Sequence, residues 1–474
     1  MLTQRILLAH ANHVRSDAKQ VARMQPYPPL QTLLAAGVLR QHGIPVCLFD
    51  PALEATVEDV HAKFLAALER EKPSLVVVCD DDFNFLTKMC LLHNRTLAFR
   101  MAEMAGQAGI PAIAHGSDSA DHAALYLDAG FAGVIAGEVE TTLLECVQGR
   151  APQSVAGLIF KQSNGALHYG SKRTPRTDLD SLPLPGWDLA DIPRYREEWL
   201  AAHGYFSLNM ASSRGCPFHC NWCAKPIYGS GYHARSPQSV AAEMLFLRET
   251  YQPDHVWFTD DIFALSSRWT TEFADEVCRT GAAIPFKMQS RCDLMTRDSV
   301  SALRRAGCSE VWMGAESGSQ RILDAMEKGI SVADIFRARE NLRREGIRAC
   351  FFLQFGYPGE EWNEIKETIR MVRQAAPDDV GISVSYPLPG TRFHQIVAAQ
   401  LGTRANWRDS GDLSMMFQGA YSTEFYRALA DAIHLEVRGG STLEANAADA
   451  WTRVHELRAA PAPTSLSSRF AEVA

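Results

Sequence analysis

Residues 205–223 read YFSLNMASSRGCPFHCNWC. The opening run, 205–211, is short and rich in apolar and aromatic side chains and predicts a strand. Just past it stand Cys216, Cys220 and Cys223, at a Cys-x3-Cys-x2-Cys spacing. Thiolates are the usual ligands of iron–sulfur clusters. Three of them on four irons leave one iron without a protein ligand, which is the open position a cluster needs to bind and reduce a small molecule. One compact loop also lets the sulfurs converge without distant chain closure. Three other readings compete. A structural zinc site wants four Cys or His ligands, and His219 is available only as a neighbour of Cys220 in the same turn. A redox Cys-x2-Cys pair leaves Cys216 unexplained. Chance clustering among eleven cysteines is the third.

Outward from this loop the chain alternates strand and helix. Between 206 and 395, strands are predicted at 205–211, 255–259, 284–290, 310–314, 349–356 and 381–386, which makes a partial (β/α)6 version of the eight-unit barrel. Polar or glycine-rich residues follow every strand: Cys216 onward, Asp260-Asp261, Arg291, Glu316-Ser317, Gly356, and Pro387 to Gly390. In a barrel these positions share the rim where active sites are built. Residues 1–150 show the same rhythm. Strands are predicted at 5–10, 45–49, 74–79, 111–114 and 133–136, and helices at 30–42, 57–71, 85–109, 120–129 and 140–148. Five strands so spaced suit a flavodoxin-like parallel sheet that binds ligands beyond its carboxyl ends.

Residues 151–205 contain Asn164-Gly165, Pro175 and the run SLPLPGW at 181–187, which cannot hold a helix. They read as an interdomain linker with a small hairpin at 158–169. Residues 396–460 read as a short helical C-terminal region, with helices at 423–437 and 443–457. The Ala/Pro/Ser-rich tail, 461–474, reads as disordered.

Apolar residues at 46% and charged residues at 22% are ordinary for a globular protein. The net charge of −8 lacks the basic surplus expected of a nucleic-acid binder. No apolar run reaches about 18 residues, so no transmembrane segment is expected, and the N-terminal run is too short for a signal peptide. Eleven scattered cysteines without an export signal suit a reducing, cytoplasmic setting.

Several residues have chemistry that suits a charged ligand. Glu316 can accept from hydroxyls or an ammonium, and Arg291 can meet a carboxylate with a planar pair of donors. Glycines at 314, 318, 356 and 359 permit close backbone approach. The plainer alternatives are turn roles for Gly359 and Gly390, helix-capping roles for Asp260 and Asp261, and a surface position for Glu316.

The cysteine spacing resembles the radical S-adenosylmethionine (SAM) superfamily. Further segments are similar to its subgroup that includes the anaerobic magnesium-protoporphyrin IX monomethyl ester cyclase and the class B cobalamin-dependent methyltransferases: Thr259-Asp260-Asp261, MGAESGS at 313–319, FGYPGE at 355–360 and SYPLPGT at 385–391. The resemblance implies that Cys216, Cys220 and Cys223 hold a 4Fe–4S cluster, with Trp222 packed beside it. It implies a SAM site at Trp222, Asp260, Arg291, Glu316, Ser317, Gly356 and Tyr386, and a 5′-deoxyadenosyl radical formed when reduced SAM is cleaved. An external one-electron donor of flavodoxin or ferredoxin type is expected as partner, with a small-molecule substrate.

The run Pro26-Tyr27-Pro28-Pro29-Leu30 and the segment Gly137-Glu138-Val139-Glu140-Thr141 resemble the cobalamin-binding domain of the same subgroup. By that resemblance cobalamin would rest on loops near 10–16, 80–85, 115–118 and 137–141, with His10, His13, Gly116, Ser117, Gly137, Glu138 and Glu140 as candidates. The histidine-donating Asp-x-His-x-x-Gly is missing; Asp59-Val60-His61 lacks the glycine. Solvated loop histidines, and a domain that has lost cobalamin, are the alternatives. The expected reaction is methyl transfer to an unactivated carbon or phosphorus. Radical cyclisation, oxidation or rearrangement is the rival, and a cluster-bearing sensor or a zinc module would be a different class.

Overall fold

A computed structural model describes residues 5–80, 91–225, 227–402, 404, 412–439 and 444–459. The chain divides into two compact units. One comprises Met1–Pro217, Lys225–Gln289 and Ala302–Cys308; the other comprises Phe218–Ala224, Ser290–Ser301 and Ser309–Ala474.

The first unit opens with a seven-stranded sheet. Its strands are β1 (Ile6–Ala9), β2 (Val46–Phe49), β3 (Leu75–Cys79), β4 (Ala112–His115), β5 (Gly133–Ile135), β6 (Leu158–Lys161) and β7 (Leu167–Tyr169), in the order β2-β1-β3-β4-β5-β6-β7. The first five are parallel, with Ile6 opposite both Val46 and Leu75. Their order 2-1-3-4-5 is the flavodoxin-like one. Continuous runs such as ILLA and LVVVC suit strands covered on both faces, and two apolar clusters lie on this sheet, one around Phe64, Met101 and Tyr126, the other around Leu8, Leu39 and Leu143. Helix Val57–Glu71 shows how the rhythm works locally. Thr56 caps it by accepting from Asp59 N, and Val60, Phe64, Ala67 and Leu68 face inward at helical spacing.

Several expectations need correction. Residues 120–129 form two short helices, Ser117–Asp121 and Ala123–Asp128, with His122 between them. The stretch 151–205 is more ordered than a linker. Its hairpin β6–β7 extends the first sheet antiparallel to β5, and Ile192–His203 is a helix capped by Asp191. Pro193 fits there because it lies in the first turn, where its missing N–H removes no helical bond. Helix Ala18–Arg23 also went unpredicted. The predicted helix 85–109 is Leu91–Gln107, and residues 85–90 lie outside the described residues, as does the tail 461–474.

All six strands expected after residue 205 are present. In the first unit β8 (Ser207–Met210), β11 (His255–Phe258) and β12 (Phe286–Ser290) run parallel, while β9 (Ser213–Arg214) pairs antiparallel with β10 (His233–Ala234). In the second unit β13 (Cys308–Glu316), β14 (Arg348–Phe355) and β15 (Asp379–Val384) run parallel, with a register shift between Gly314 and Glu316. C-terminal helices Arg392–Leu401, Thr423–Arg438 and Glu444–Ala459 match the expected helical region. No helix among the described residues is long and apolar enough to cross a membrane.

Candidate functional site

The cysteine segment begins in the first unit, where three bonded groups fix its entry. Asp260, directly after β11, is fully buried. Its carboxylate accepts from Ser212 N at 3.1 Å, Ser212 Oγ at 2.6 Å and Ser213 Oγ at 2.5 Å. Burial pushes its pKa up to about 6 against those hydrogen bonds. Asp260 is therefore no helix cap; the following helix, Ser267–Thr280, is capped by Ser266. Arg214, which sequence reasoning missed, is buried between two carboxylates. It reaches Glu138 Oε1 at 2.8 Å and Glu140 Oε1 at 2.5 Å, with the Tyr228 ring 5.1 Å away. Gly215 follows at φ +79°, and a Cβ there would collide with the Gly231 carbonyl oxygen. Lys225 Nζ donates to the Cys216 carbonyl at 2.7 Å.

The rest of the segment belongs to the second unit. Asn221 is pinned there: its amide N donates to Met326 O at 3.0 Å, and its side chain meets Ala325 O at 2.8 Å and the Tyr357 hydroxyl at 3.0 Å. Beside it, Trp222 is half-buried, and its buried Nε1 has no acceptor among the described residues. Lys328 lies over this indole at 5.9 Å and pairs with Glu316 Oε1 at 2.6 Å. Lys328 and Glu316 are 6% and 4% exposed, so Glu316 is not a surface acid. Glu316 also holds φ +59°, a left-handed conformation uncommon for a side-chain-bearing residue. Arg291 donates to Lys328 O at 2.8 Å, to Gly329 O at 3.2 Å and to both Asp293 oxygens, at 3.0 and 3.1 Å. Its guanidinium lies 3.7 Å from the Phe218 ring centroid. Of the predicted SAM residues, Trp222, Arg291 and Glu316 are thus brought together through Lys328, which sequence reasoning missed.

The remaining candidates make local bonds. Ser317 Oγ meets Thr368 Oγ1 at 3.1 Å, and the Tyr386 hydroxyl accepts from Leu413 N at 2.9 Å. Gly356, at φ +74°, donates its N–H to Glu360 at 2.5 Å. Gly359 and Gly390 are at φ +83° and +77°, as turn residues require.

On the first sheet, both proposed histidines are buried rather than solvated. His10 Nε2 stands 2.9 Å from Asp50 Oδ1, and its Nδ1 accepts from Asn12 N at 3.2 Å. His13 uses Nδ1 with Ser16 Oγ at 2.6 Å and Nε2 with Glu54 O at 3.0 Å. Neither ring keeps a nitrogen for a metal. Gly116 and Gly137 are the glycines their loops require. Gly116, at φ +150°, has Asp80 Oδ2 2.5 Å from where a Cβ would stand; Gly137, at φ +83°, accepts from His115 Nε2 at 2.9 Å. Ser117 opens a short helix. Glu138 and Glu140 are engaged by Arg214, and Glu138 also by Arg176 N at 2.7 Å. The loop at 81–85 lies outside the described residues.

Cys216, Cys220 and Cys223 are all half-buried on one loop. Among the described residues, no three His, Cys, Asp or Glu side chains gather closely enough to hold a metal ion. The thiol donors suit iron–sulfur ligation, and the unpaired indole N–H of Trp222 suits an acceptor such as a sulfide beside them.

Comparison with known proteins agrees with this chemistry. Residues 210–372 match the model of the Radical SAM superfamily, and over that span the chain carries a radical SAM domain. An uncharacterized methyltransferase of Pyrococcus horikoshii is 28% identical over 58% of this chain and 60% of its own length. The hopanoid C-3 methylase of Methylococcus capsulatus is 27% identical over 79% of this chain and 70% of its own. The anaerobic magnesium-protoporphyrin IX monomethyl ester cyclase of Cereibacter sphaeroides is 24% identical over 84% and 64%. Among solved structures, the radical SAM methyltransferase TsrM of Kitasatospora setae, with cobalamin and a 4Fe–4S cluster bound, superposes with TM-score 0.68 at 19% identity, over 86% of this chain and 80% of that one. That likeness is one of fold.

Proposed function

We propose that this chain is a cobalamin-dependent radical SAM enzyme that methylates an unactivated carbon or phosphorus of a small molecule. The observation that carries the reading is the cysteine segment 216–223, which lies inside the matched radical SAM region and follows, in sequence, a flavodoxin-like sheet. The methylases among its relatives, and the cobalamin held by TsrM, support methyl transfer. When bound, the cluster, SAM and cobalamin supply an electron, a 5′-deoxyadenosyl radical and a methyl group. Cys216, Cys220 and Cys223 would hold the cluster. Four of the five Arg291 donors are engaged within the chain. Its work is therefore to fix the Lys328–Gly329 turn, while Glu316 and Lys328 face the ligand. On the first sheet, Gly116, Ser117 and Gly137 would meet cobalamin through backbone, and neither His10 nor His13 would reach cobalt. An external one-electron donor of flavodoxin or ferredoxin type completes the system.

A second reading, radical cyclisation without methyl transfer, is favoured by the cyclase match, which extends over 84% of this chain. One experiment separates the two. Anaerobically reconstituted protein is incubated with a small-molecule cell extract as the source of acceptor, methyl-labelled SAM, a reductant and hydroxocobalamin, and iron, released 5′-deoxyadenosine and product label are measured. Label in the product supports methylation, and an unlabelled product with 5′-deoxyadenosine release turns the reading to cyclisation. The Cys216→Ala/Cys220→Ala/Cys223→Ala variant is expected to lose its iron and all deoxyadenosine release; full retention of both overturns the cluster.

A further inference from the structure

Lys328 and Arg291 are both buried cations that the second unit places against the cysteine segment, Arg291 over Phe218 and Lys328 over Trp222. Trp222 lies between Cys220 and Cys223. Lys328 is buried, and its ammonium donates to Glu316 Oε1 at 2.6 Å, so the pair is held together away from water. Gly314 makes the seat. A Cβ there would collide with Lys328 Nζ and stand 2.5 Å from Glu316 Oε1, so the pair as it lies uses the space that the missing side chain leaves. Two neighbours add little charge. Arg291 is shared with Asp293, and burial pushes the Cys292 thiol up to about 12, which keeps it neutral.

A cluster that takes an electron gains a negative charge, and buried charges beside it act on that charge with less screening than exposed ones. A nearby ammonium favours that step and a carboxylate opposes it. Resting on the cluster reading above, we propose that the Glu316–Lys328 pair, seated over Trp222 in the space left by Gly314, sets how readily the cluster accepts its electron. Lys328 favours the reduced form and Glu316 restrains it. One electron passes from the external donor to the oxidised cluster, the donor is oxidised by one electron, and no proton moves.

The test uses the full chain, anaerobically reconstituted, without SAM. Iron is counted and the cluster is titrated with dithionite, the reduced form being followed by electron paramagnetic resonance. Lys328→Gln is expected to make reduction at least tenfold less favourable, about 59 mV for a one-electron couple. Glu316→Gln is expected to move the potential the other way, the double variant to fall between, and Lys328→Arg to stay near wild type. Opposite signs are what a packing role cannot produce. Shifts of the same sign, or no shift with full iron, overturn the inference. Should Lys328→Gln lose its iron, Glu316→Gln and Lys328→Arg decide: a raised potential in the first and an unchanged one in the second support the proposal, and an unmoved Glu316→Gln overturns it. A wild-type chain without a cluster overturns the cluster reading as well, whereas a cluster with unmoved potentials overturns this inference alone.

Discussion

Glu140 in the first unit and Glu360 in the second are sealed from water to nearly the same degree, at 2% and 1% exposure. Glu140 faces the Arg214 guanidinium, which outweighs burial and holds its carboxyl below the ordinary range. Glu360 has only the Gly356 N–H on one oxygen and no partner among the described residues on the other. Burial then prevails, and its pKa is pushed up to about 8. At equal depth, a facing cation decides whether a buried carboxyl is an ion or an acid. One backbone amide does not suffice.

The contrast can be broken most forcefully at Arg214. Arg214→Met leaves Glu138 and Glu140 as buried, uncompensated charges, and is expected to cost about 3–5 kcal/mol in chemical denaturation. A loss below about 1 kcal/mol would mean that the guanidinium is not what keeps Glu140 ionised. Glu140→Gln keeps the shape, and Glu138 still answers the guanidinium, so the expected cost is smaller, about 1.5–3 kcal/mol. Glu360→Gln sharpens the other half, and its signature is a slope. Below pH 4.5 the Glu360 carboxyl is neutral in both folded and unfolded chains. Above 4.5 the unfolded chain ionises while the folded one keeps its proton until about pH 8. Stability from this group is therefore full below 4.5, falls as pH rises to about 8, and then levels off. The fall is at most about 1.4 kcal/mol per pH unit, and Glu360→Gln should flatten it in denaturation curves taken from pH 5 to 8. An unchanged slope would place the proton elsewhere.

Much of the fold was legible because it depends on local pattern. Short β-rich runs alternating with amphipathic stretches located the eleven parallel strands among the described residues, and Asn164-Gly165 marked the β6–β7 hairpin. The helix Ile192–His203 was obscured by the prolines before it, although Asp191 and Pro193 are proper start signals. The cysteines announce themselves by spacing alone. Their surroundings do not, because the partners are remote in sequence: Arg214 meets Glu138 across 76 positions, and Lys328 meets Glu316 across 12. The same remoteness hid the partner of Gly137-Glu138-Val139-Glu140, whose acids are turned to a guanidinium of their own chain.

Gly215 has a consequence for heredity. An added methyl group would strike the Gly231 carbonyl, and the backbone there is in any case left-handed. Every missense change of that codon therefore brings in a side chain with nowhere to go, immediately ahead of Cys216. In a saturation library selected for cluster-dependent function, position 215 should return glycine alone, while its neighbour Pro217 drifts more freely.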